Sequence, residues 1–201
     1  MRSARLSRAG GWPGQDGGAA SPRVTAPHPQ LIPTATHAPQ APDFLAPGAY
    51  IIGDVRFGRR CSVWFNAVLR GDINRVALGD DCNIQDLACL HVSAAHAAIL
   101  GDRVSLGHAA IVHAATVGDG TLVGMGARVL DGAVIGRGCL VAAGCVVAEG
   151  AAIPDDHLVA GLPGAQVLKP LRPETRERIA AIAGKYVAYQ QLYPTLRGDA
   201  C

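Results

Sequence analysis

An aliphatic residue recurs at almost every sixth position through most of this 201-residue chain. The regular part of the repeat contains one five-residue step, and its units begin at Leu100, Leu106, Val112, Val117, Val123, Val129, Ile135, Val141, Val147, Ile153 and Val159. A rougher version precedes it, with units that begin at Ile52, Phe57, Val63, Leu69, Leu78, Ile84 and Leu90. A short fixed period with an aliphatic start is typical of a hexapeptide β-helix.

The period also predicts the cross-section of the domain. Each unit supplies one short strand and one corner, so about three units, or roughly 18 residues, complete one coil of a triangular prism. The aliphatic starts point inward, and Gly-Asp or Asp-Gly pairs suit the tight corners. The low aromatic content of 4% agrees with an interior too narrow for many rings. We therefore predict an all-β parallel β-helix over residues 46–170, rather than a β-sandwich with coincidental spacing.

Three histidines fall inside the repeat, and its register predicts where two of them point. His91 and His113 each directly follow an aliphatic unit start. If the extra residues between Leu90 and Leu100 form a loop within 93–98, His113 lies three units after His91. Because three units complete one coil, the two imidazoles are predicted to share a face of the prism, one rung apart.

The third histidine, His108, is predicted to lie on a neighbouring face. It comes one unit before His113 and one position further into its repeat. From the same chain it cannot easily join His91 and His113, so the simplest arrangement is a homotrimer in which each site combines two subunits. Three imidazoles suit a catalytic zinc ion that keeps an open coordination position. The plainer alternative is that each histidine is a solvated surface group.

The histidines lie among motifs that occur in a fixed order within the repeat. They are VWFNAVLRGD at 63–72, NIQD at 83–86, HVS at 91–93, GH at 107–108 leading to His113, GMGA at 124–127 and LDGA at 130–133. From about Ala46 to Lys169 the chain resembles the γ-class carbonic anhydrase family. The resemblance implies a left-handed β-helix, a homotrimer, and hydration of CO2 to bicarbonate by a metal-bound hydroxide. It assigns zinc, with iron(II) or cobalt(II) as alternatives, to His91, His108 and His113 across the subunit interface.

Five polar residues take roles from the same resemblance. Arg70 and Asp86 correspond to an ion pair across the subunit interface, and Asp72 lies near them. Asn83 and Gln85 lie near the metal-bound solvent, where an amide can donate and accept hydrogen bonds without titrating. From the residues alone, a purely structural Arg70–Asp86 pair and a simple corner role for Asp72 remain open.

The chain departs from the family pattern at the residues that carry protons. The best-characterised active members have glutamates beside the aspartate and in the loop after the first ligand. This chain has Ile73 and the sequence SAAHAA at 93–98 in those places. His96 is the remaining candidate shuttle, since imidazole exchanges protons near neutral pH, and a solvated loop histidine is the alternative. The sequence therefore predicts a metal-dependent enzyme that lacks the shuttle glutamates of the family.

Two segments flank the predicted β-helix. Residues 1–45 hold seven of the thirteen prolines and no apolar period, which predicts a disordered tail. After Pro170, apolar and aromatic residues at helical spacing predict a helix over 171–193, followed by a tail over 194–201. Tyr186 in this helix resembles a family tyrosine near the mouth of the active site, and core packing is the alternative role.

Composition and charge argue against several other classes of protein. No apolar run of about 18 residues is present, so no membrane span is expected. The net charge is +2 without a basic cluster, which gives no support for nucleic-acid binding. The six cysteines show no C-x-x-C spacing, and the N-terminus lacks the apolar core of a secretory signal. Free thiols in a reducing cytoplasm are therefore expected.

Two other functions remain open from the sequence. Hexapeptide acyltransferases share the repeat and can use a histidine base with acetyl-CoA. The two additional histidines and the Gln85-Asp86 pair favour the metal interpretation over that one. A non-catalytic trimeric scaffold is the third interpretation, because the shuttle glutamates are missing.

Overall fold

The computed structural model describes residues 30–32, 38–164 and 166–196, and these contain short strands followed by one helix. In chain order the strands are β1 (Gln30–Ile32), β2 (Phe44–Leu45), β3 (Tyr50–Phe57), β4 (Ser62–Val63), β5 (Val68–Leu78), β6 (Asn83–Ile84), β7 (Cys89–His91), β8 (Ala98–Leu100), β9 (Ser105–Leu106), β10 (Ile111–His113), β11 (Thr116–Val117), β12 (Leu122–Val123), β13 (Arg128–Val129), β14 (Val134–Ile135), β15 (Leu140–Val141), β16 (Val146–Val147), β17 (Ala152–Ile153), β18 (His157–Ala160) and β19 (Val167–Pro170). The helix is α1 (Pro173–Leu196).

The strands stack in parallel on three faces. The first face contains β7, β10, β13 and β16, the second β2, β4, β6, β9, β12, β15 and β18, and the third β8, β11, β14 and β17. The long strands β3 and β5 turn a corner and belong to both the first and third faces. Only β19 pairs antiparallel, with β18, among the strands described. The predicted fold class, a parallel β-helix of hexapeptide repeats followed by one helix, is confirmed.

The interior is filled by the aliphatic unit starts. Every predicted start from Val63 to Val159 is buried. The first unit differs, because Ile51 rather than Ile52 is fully buried and lies in register with Leu69. Ile51 lies 18 residues before Leu69, which is one full coil, so the predicted start at Ile52 is one position late.

Two glycines shape a regular corner, and each is needed for a different structural reason. Gly120 has a φ of +65°, a conformation that glycine adopts without steric cost. Gly118 is required for another reason, since a Cβ there would lie 2.7 Å from the carbonyl carbon of Gly136 on the next coil. Positive φ alone does not demand glycine here, because Ala109 and Ala114 adopt it at other corners. The close stacking of coils therefore constrains Gly118 more strongly than the turn constrains Gly120.

The helix α1 packs on the second face, beside β4 and β6. Its inward side buries Ile179, Ala183 and Gln190, and the ring of Tyr186 meets that of Trp64 at a centroid distance of 5.3 Å. It begins at Pro173 rather than at residue 171, because the backbone of Leu171 still pairs with the last coil. The helical backbone continues to Leu196, beyond the predicted end at residue 193.

In the described part of the chain, no helix has the length and apolarity needed to cross a membrane.

The ordered part of the chain begins before residue 46. β1 pairs with β3, β2 pairs with β4, and the ring of Phe44 lies 4.8 Å from that of Trp64. The predicted boundary is therefore too late, and disorder does not hold for Gln30–Ile32 or for residues 38–45. These segments add a rung to existing faces, which requires no repeat of their own. The predicted disorder of residues 1–29 and 33–37, and the tail at 197–201, lie outside the described residues.

Candidate metal centre

Two of the three histidines face each other across adjacent coils. β7 and β10 pair in parallel with His91 and His113 as Cα partners. The Nδ1 atom of His91 lies 3.0 Å from the Nε2 atom of His113, and the ring centroids are 5.0 Å apart. The predicted placement of these two imidazoles on one face, one rung apart, is confirmed.

Each of these imidazoles has a carboxylate at its other ring nitrogen. Asp72 Oδ1 lies 3.1 Å from Nε2 of His91, and Asp131 is hydrogen-bonded to Nδ1 of His113. Asp72 also accepts a hydrogen bond from Arg70. Carboxylates in this position orient imidazole ligands and raise their basicity. The two-histidine half-site is defined as His91, His113, Asp72, Asp131 and Arg70.

The surroundings favour the ionised form of both carboxylates. Burial raises the pKa of Asp72, but hydrogen bonds from Arg70 and His91 outweigh this effect and hold the pKa below its usual value. For Asp131 the hydrogen bond with His113 is the largest influence and lowers the pKa, and the Ser93 hydroxyl adds to the effect. Because an ionised carboxylate only accepts hydrogen bonds, each imidazole must direct a proton toward its aspartate.

The loop between β7 and β8 folds against this half-site. It spans the segment where the sequence predicts an insertion. The side chain of Asn74 donates to the backbone carbonyl of Ser93 at 3.1 Å, and the Ser93 hydroxyl accepts from the His96 backbone N–H at 3.2 Å. The His96 ring lies over Gly132, with Nε2 3.3 Å from the position that a Cβ would occupy there. The loop is therefore fixed against the corner that carries Asp131.

The third histidine lies on the second face, after β9. His108 Nδ1 is 2.8 Å from Asp86 Oδ2, and Asp86 Oδ1 accepts a hydrogen bond from the Phe65 backbone N–H at 3.1 Å. The carboxylate thus joins the imidazole to the coil below it. The side chain of His108 is 46% exposed, so this imidazole is accessible from outside the prism.

Gln85 and Asn83 reach the neighbourhood of His108 through a buried chain of hydrogen bonds. Gln85 Nε2 donates to Asn83 Oδ1 at 3.0 Å, and Asn83 Nδ2 donates to the Ser105 hydroxyl at 2.7 Å. Both amide residues are at most 5% exposed. This chain of bonds fixes the Gln85 amide, which lines a groove together with His108.

Tyr186 lies between an aromatic cluster and the same groove. The groove has a volume of about 540 Å³ and extends from His108 along α1. Burial, with a smaller contribution from the Asp86 charge, raises the pKa of Tyr186 to about 12. At neutral pH this phenol therefore remains protonated and acts as a hydrogen-bonding group rather than a base. The one-histidine half-site is defined as His108, Asp86, Gln85, Asn83 and Tyr186.

The two half-sites occupy different faces of one chain. Across the described residues, no group of three or more His, Cys, Asp or Glu side chains is arranged to hold one metal ion. Arg70 and Asp86 bond within the chain to Asp72 and His108, respectively, rather than to each other. The predicted pairing of Arg70 with Asp86 across a subunit interface therefore remains a prediction.

Comparisons with known proteins show which family the chain belongs to. Residues 114–149 match the family model for the bacterial transferase hexapeptide (six repeats). Gamma carbonic anhydrase 1, mitochondrial, from Arabidopsis thaliana is 42% identical over 155 residues, which are 74% of this chain and 55% of that protein. A protein named probable carbonic anhydrase from Methanocaldococcus jannaschii is 50% identical over 152 residues, which are 76% of this chain and 93% of that protein. The chain belongs to the γ-class carbonic anhydrase family.

A solved structure supports the same fold for this γ-class family member. The crystal structure of a hexapeptide transferase family protein from Anaplasma phagocytophilum superposes with a TM-score of 0.75 at 33% identity. The match covers 81% of this chain and 97% of that one. The similarity therefore includes nearly the whole described domain, and not the repeat alone.

Sequence reasoning missed one residue of this γ-class half-site. The sequence predicts Asp131 only as a corner residue, whereas the structure bonds it to His113. The signal is present in the register, since Val112 pairs with Val129. Leu130 is then the residue one rung beyond His113, and the next position, Asp131, is the first with a side chain able to reach back to it.

Ile73 occupies one of the two places where the resemblance leads us to expect a glutamate. Ile73 follows Asp72 at a corner of β5 and is 62% exposed. It lines a surface pocket together with Asp54 and Arg75. At this position an apolar side chain faces solvent, and it offers no group that can carry a proton.

Proposed function

We propose that this chain is a γ-class carbonic anhydrase that hydrates CO2 to bicarbonate as a homotrimer, with a metal ion at each subunit interface. The observation that carries the proposal is the division of the site between two faces of one prism. Packing around a threefold axis brings the first face of one subunit against the second face of the next. Each of the three clefts then receives one two-histidine and one one-histidine half-site.

The donor set fits zinc, with iron(II) or cobalt(II) as alternatives that accept the same ligands. The ligands would be His91 and His113 of one subunit and His108 of the partner subunit. Three imidazoles leave an open coordination position, as catalytic zinc sites require. A bound zinc ion lowers the pKa of its coordinated water to about 7, which supplies a nucleophile for CO2 at neutral pH.

The remaining residues orient these groups and the reacting molecules. Asp72, Asp131 and Asp86 each hold one of the three imidazoles by a hydrogen bond. Gln85, fixed by Asn83, presents an amide that donates or accepts without changing charge. Arg70 neutralises Asp72 within the chain and is the candidate partner for Asp86 of a neighbouring subunit. The protonated phenol of Tyr186 lines the same groove as Gln85.

Proton release is assigned to His96 in place of the missing glutamates. The loop that carries it contains no carboxylate, and its side chain is exposed beside the Asp131 corner. Imidazole exchanges protons with solvent near neutral pH. The proposal therefore includes a shuttle that differs in chemical type from that of the best-characterised active members.

Two rival functions make different use of the same fold. A hexapeptide acyltransferase needs one histidine base, whereas here all three imidazoles carry carboxylate partners, as metal ligands usually do. A non-catalytic trimeric scaffold would keep the subunit interface but would not turn over CO2.

The described cysteines are all free thiols, which supports the cytoplasm as the location of the protein.

The test combines metal analysis with a rate measurement on anaerobically purified protein. The expected result is a trimer by light scattering, about one metal ion per chain, and CO2 hydration in a stopped-flow assay. Bound metal without hydration after zinc or iron loading would favour the scaffold. A metal-free protein with acetyl-CoA-dependent transfer would instead favour the acyltransferase.

A further inference from the structure

We propose that Asp131 is a positioning residue that determines which ring nitrogen His113 presents to the metal. This inference rests on the proposed function, and it concerns an interaction within one chain. The carboxylate accepts a hydrogen bond from Nδ1 of His113, while Nε2 of the same ring faces His91 at 3.0 Å. The two nitrogens of His113 thus have separate partners on opposite sides of the ring.

The two nitrogens of a neutral imidazole have different roles, so it matters which of them lies beside Asp131. Only one ring nitrogen carries hydrogen, and the other holds the lone pair that binds a metal. An aspartate at Nδ1 selects the form with hydrogen on Nδ1, so the lone pair lies on Nε2. Because Nε2 points along the first face toward His91, the selected form is the one that contributes to a shared site.

Asp131 can perform this task because its own backbone is firmly held. The backbone N–H of Gly132 donates to the carbonyl of Ala114 on the preceding coil at 2.8 Å. The Asp131 carbonyl accepts from the backbone N–H of Gly150 on the following coil, also at 2.8 Å. The corner is therefore bonded on both sides, and the carboxylate reaches the imidazole from a fixed base.

A second Asp-Gly corner shows that the motif alone does not require this contact. Asp119 also precedes a glycine with positive φ, and its carboxylate accepts the backbone N–H of Asp102 at 3.0 Å. Asp119 therefore stabilises the stacking of coils, whereas Asp131 bonds an imidazole. The two residues share local geometry and differ in partner, which makes Asp119 a matched control.

The experiment compares Asp131→Ala, Asp131→Asn and Asp119→Asn with the wild-type full-length protein. Zinc affinity is measured by competition with a chromophoric chelator. The form of the His113 ring is read in the metal-free protein by long-range ¹H–¹⁵N NMR, and circular dichroism checks the fold. We expect Asp131→Ala to weaken zinc binding about 10- to 100-fold and to mix the two ring forms. Asp131→Asn, whose amide oxygen can still accept, should retain most of the Nδ1–H form, and Asp119→Asn should bind zinc as wild type does.

The outcomes separate this inference from the proposed function. A wild-type protein that binds none of zinc, iron(II) and cobalt(II) overturns the metal-dependent function, and the ring form of His113 then alone decides whether Asp131 orients it. If zinc binds, but Asp131→Ala keeps both wild-type affinity and the Nδ1–H form, the positioning role is wrong. If Asp131→Ala fails to fold, Asp131→Asn and Asp119→Asn are compared instead, by the ring form of His113 and by zinc affinity. Equal values in these two variants would then contradict the positioning role.

Discussion

The imidazoles of His91 and His113 are separated by 22 positions in the chain and by 3.0 Å between their nearest nitrogens. The Cα atoms of the two residues are direct partners in the parallel pair β7–β10. Adjacent parallel strands lie about 4.7–4.9 Å apart, a spacing at which two side chains on one face can share an ion. The loop between β7 and β8 lies outside this stack and leaves the register intact.

The divided site predicts complementation between two inactive variants. His91→Ala and His108→Ala each remove one ligand from every site and should abolish CO2 hydration as separate homotrimers. Co-expressed in equal amounts, they should recover about a quarter of the wild-type sites, because a mixed trimer can combine one intact half-site of each kind. Activity and zinc content per trimer measure the recovery.

The matched control is the pair His91→Ala and His113→Ala, which damage the same half-site. Their mixtures should recover nothing, since neither chain supplies an intact two-histidine half-site. Equal recovery in both mixtures would show that the metal centre is not shared as proposed.

Gln85→Ala should lower CO2 hydration and leave zinc affinity almost unchanged. The amide is fixed by Asn83 beside His108 but is not itself a ligand in the proposal. Loss of one oriented hydrogen-bonding group in an active site typically costs about 10²–10³ in rate. Stopped-flow kinetics and zinc titration check the two effects, with Gln166→Ala as the control because its side chain bonds Val146 outside both half-sites. A parallel loss of zinc would show that Gln85 supports the ligands instead.

Gly118→Ala should destabilise the protein more than Gly120→Ala. At Gly120 a Cβ meets nothing within 4 Å, so the cost is that of a left-handed backbone, about 1–2 kcal/mol. At Gly118 the Cβ would meet backbone atoms of Gly136 and Arg137 at 2.7 and 2.8 Å, which forces adjacent coils apart at a cost of about 3 kcal/mol or more. The melting temperatures of the two variants test this prediction. A lower melting temperature for Gly120→Ala than for Gly118→Ala would contradict the stacking argument.

Acid should destabilise the folded state partly through Asp155. The backbone N–H of Arg137, and then its guanidinium, hold the pKa of Asp155 below the ordinary value of about 3.9. A pKa lowered by folding gives stability that is present above the unfolded value and is lost as pH falls through the folded value. Asp155→Asn should therefore show a smaller drop in melting temperature than wild type between pH 6 and pH 3.

Arg137→Ala provides the check on that assignment. It removes the guanidinium but keeps the Arg137 backbone N–H, so it should flatten the same acid limb only in part. The double variant should flatten it no further than Asp155→Asn alone, because Arg137 acts through Asp155. Additive effects would indicate that the Arg137 guanidinium acts on a titrating group other than Asp155.

Hexapeptide spacing was sufficient to predict the prism, its inward side chains and the common face of His91 and His113. This succeeded because every unit repeats the same inward geometry, so counting units places a residue on a face. The prediction of Ile52 as a unit start is wrong by one position, because one full coil counted back from Leu69 reaches the buried Ile51.

Side-chain partners were less predictable than faces. Asp131 and Asp119 look alike as Asp-Gly corners, and only the three-dimensional neighbours show that one bonds an imidazole and the other a backbone N–H. The strand Gln30–Ile32 was also missed, because a single added rung leaves no period to detect. Contacts between subunits depend on how prisms pack, which the sequence of one chain constrains only through residues such as His108.

The regular coils impose a rule on how the length of this domain can change. Leu122, Leu140 and Leu158 stack as partners at intervals of 18 residues. Loss of a single hexapeptide after His113 would keep the interior aliphatic but rotate every later unit by about a third of a turn. The helix would then leave from another face and could no longer bring Tyr186 back to Trp64. Insertions and deletions in this segment should therefore survive natural selection in whole coils, so that its length among descendants changes in steps rather than continuously.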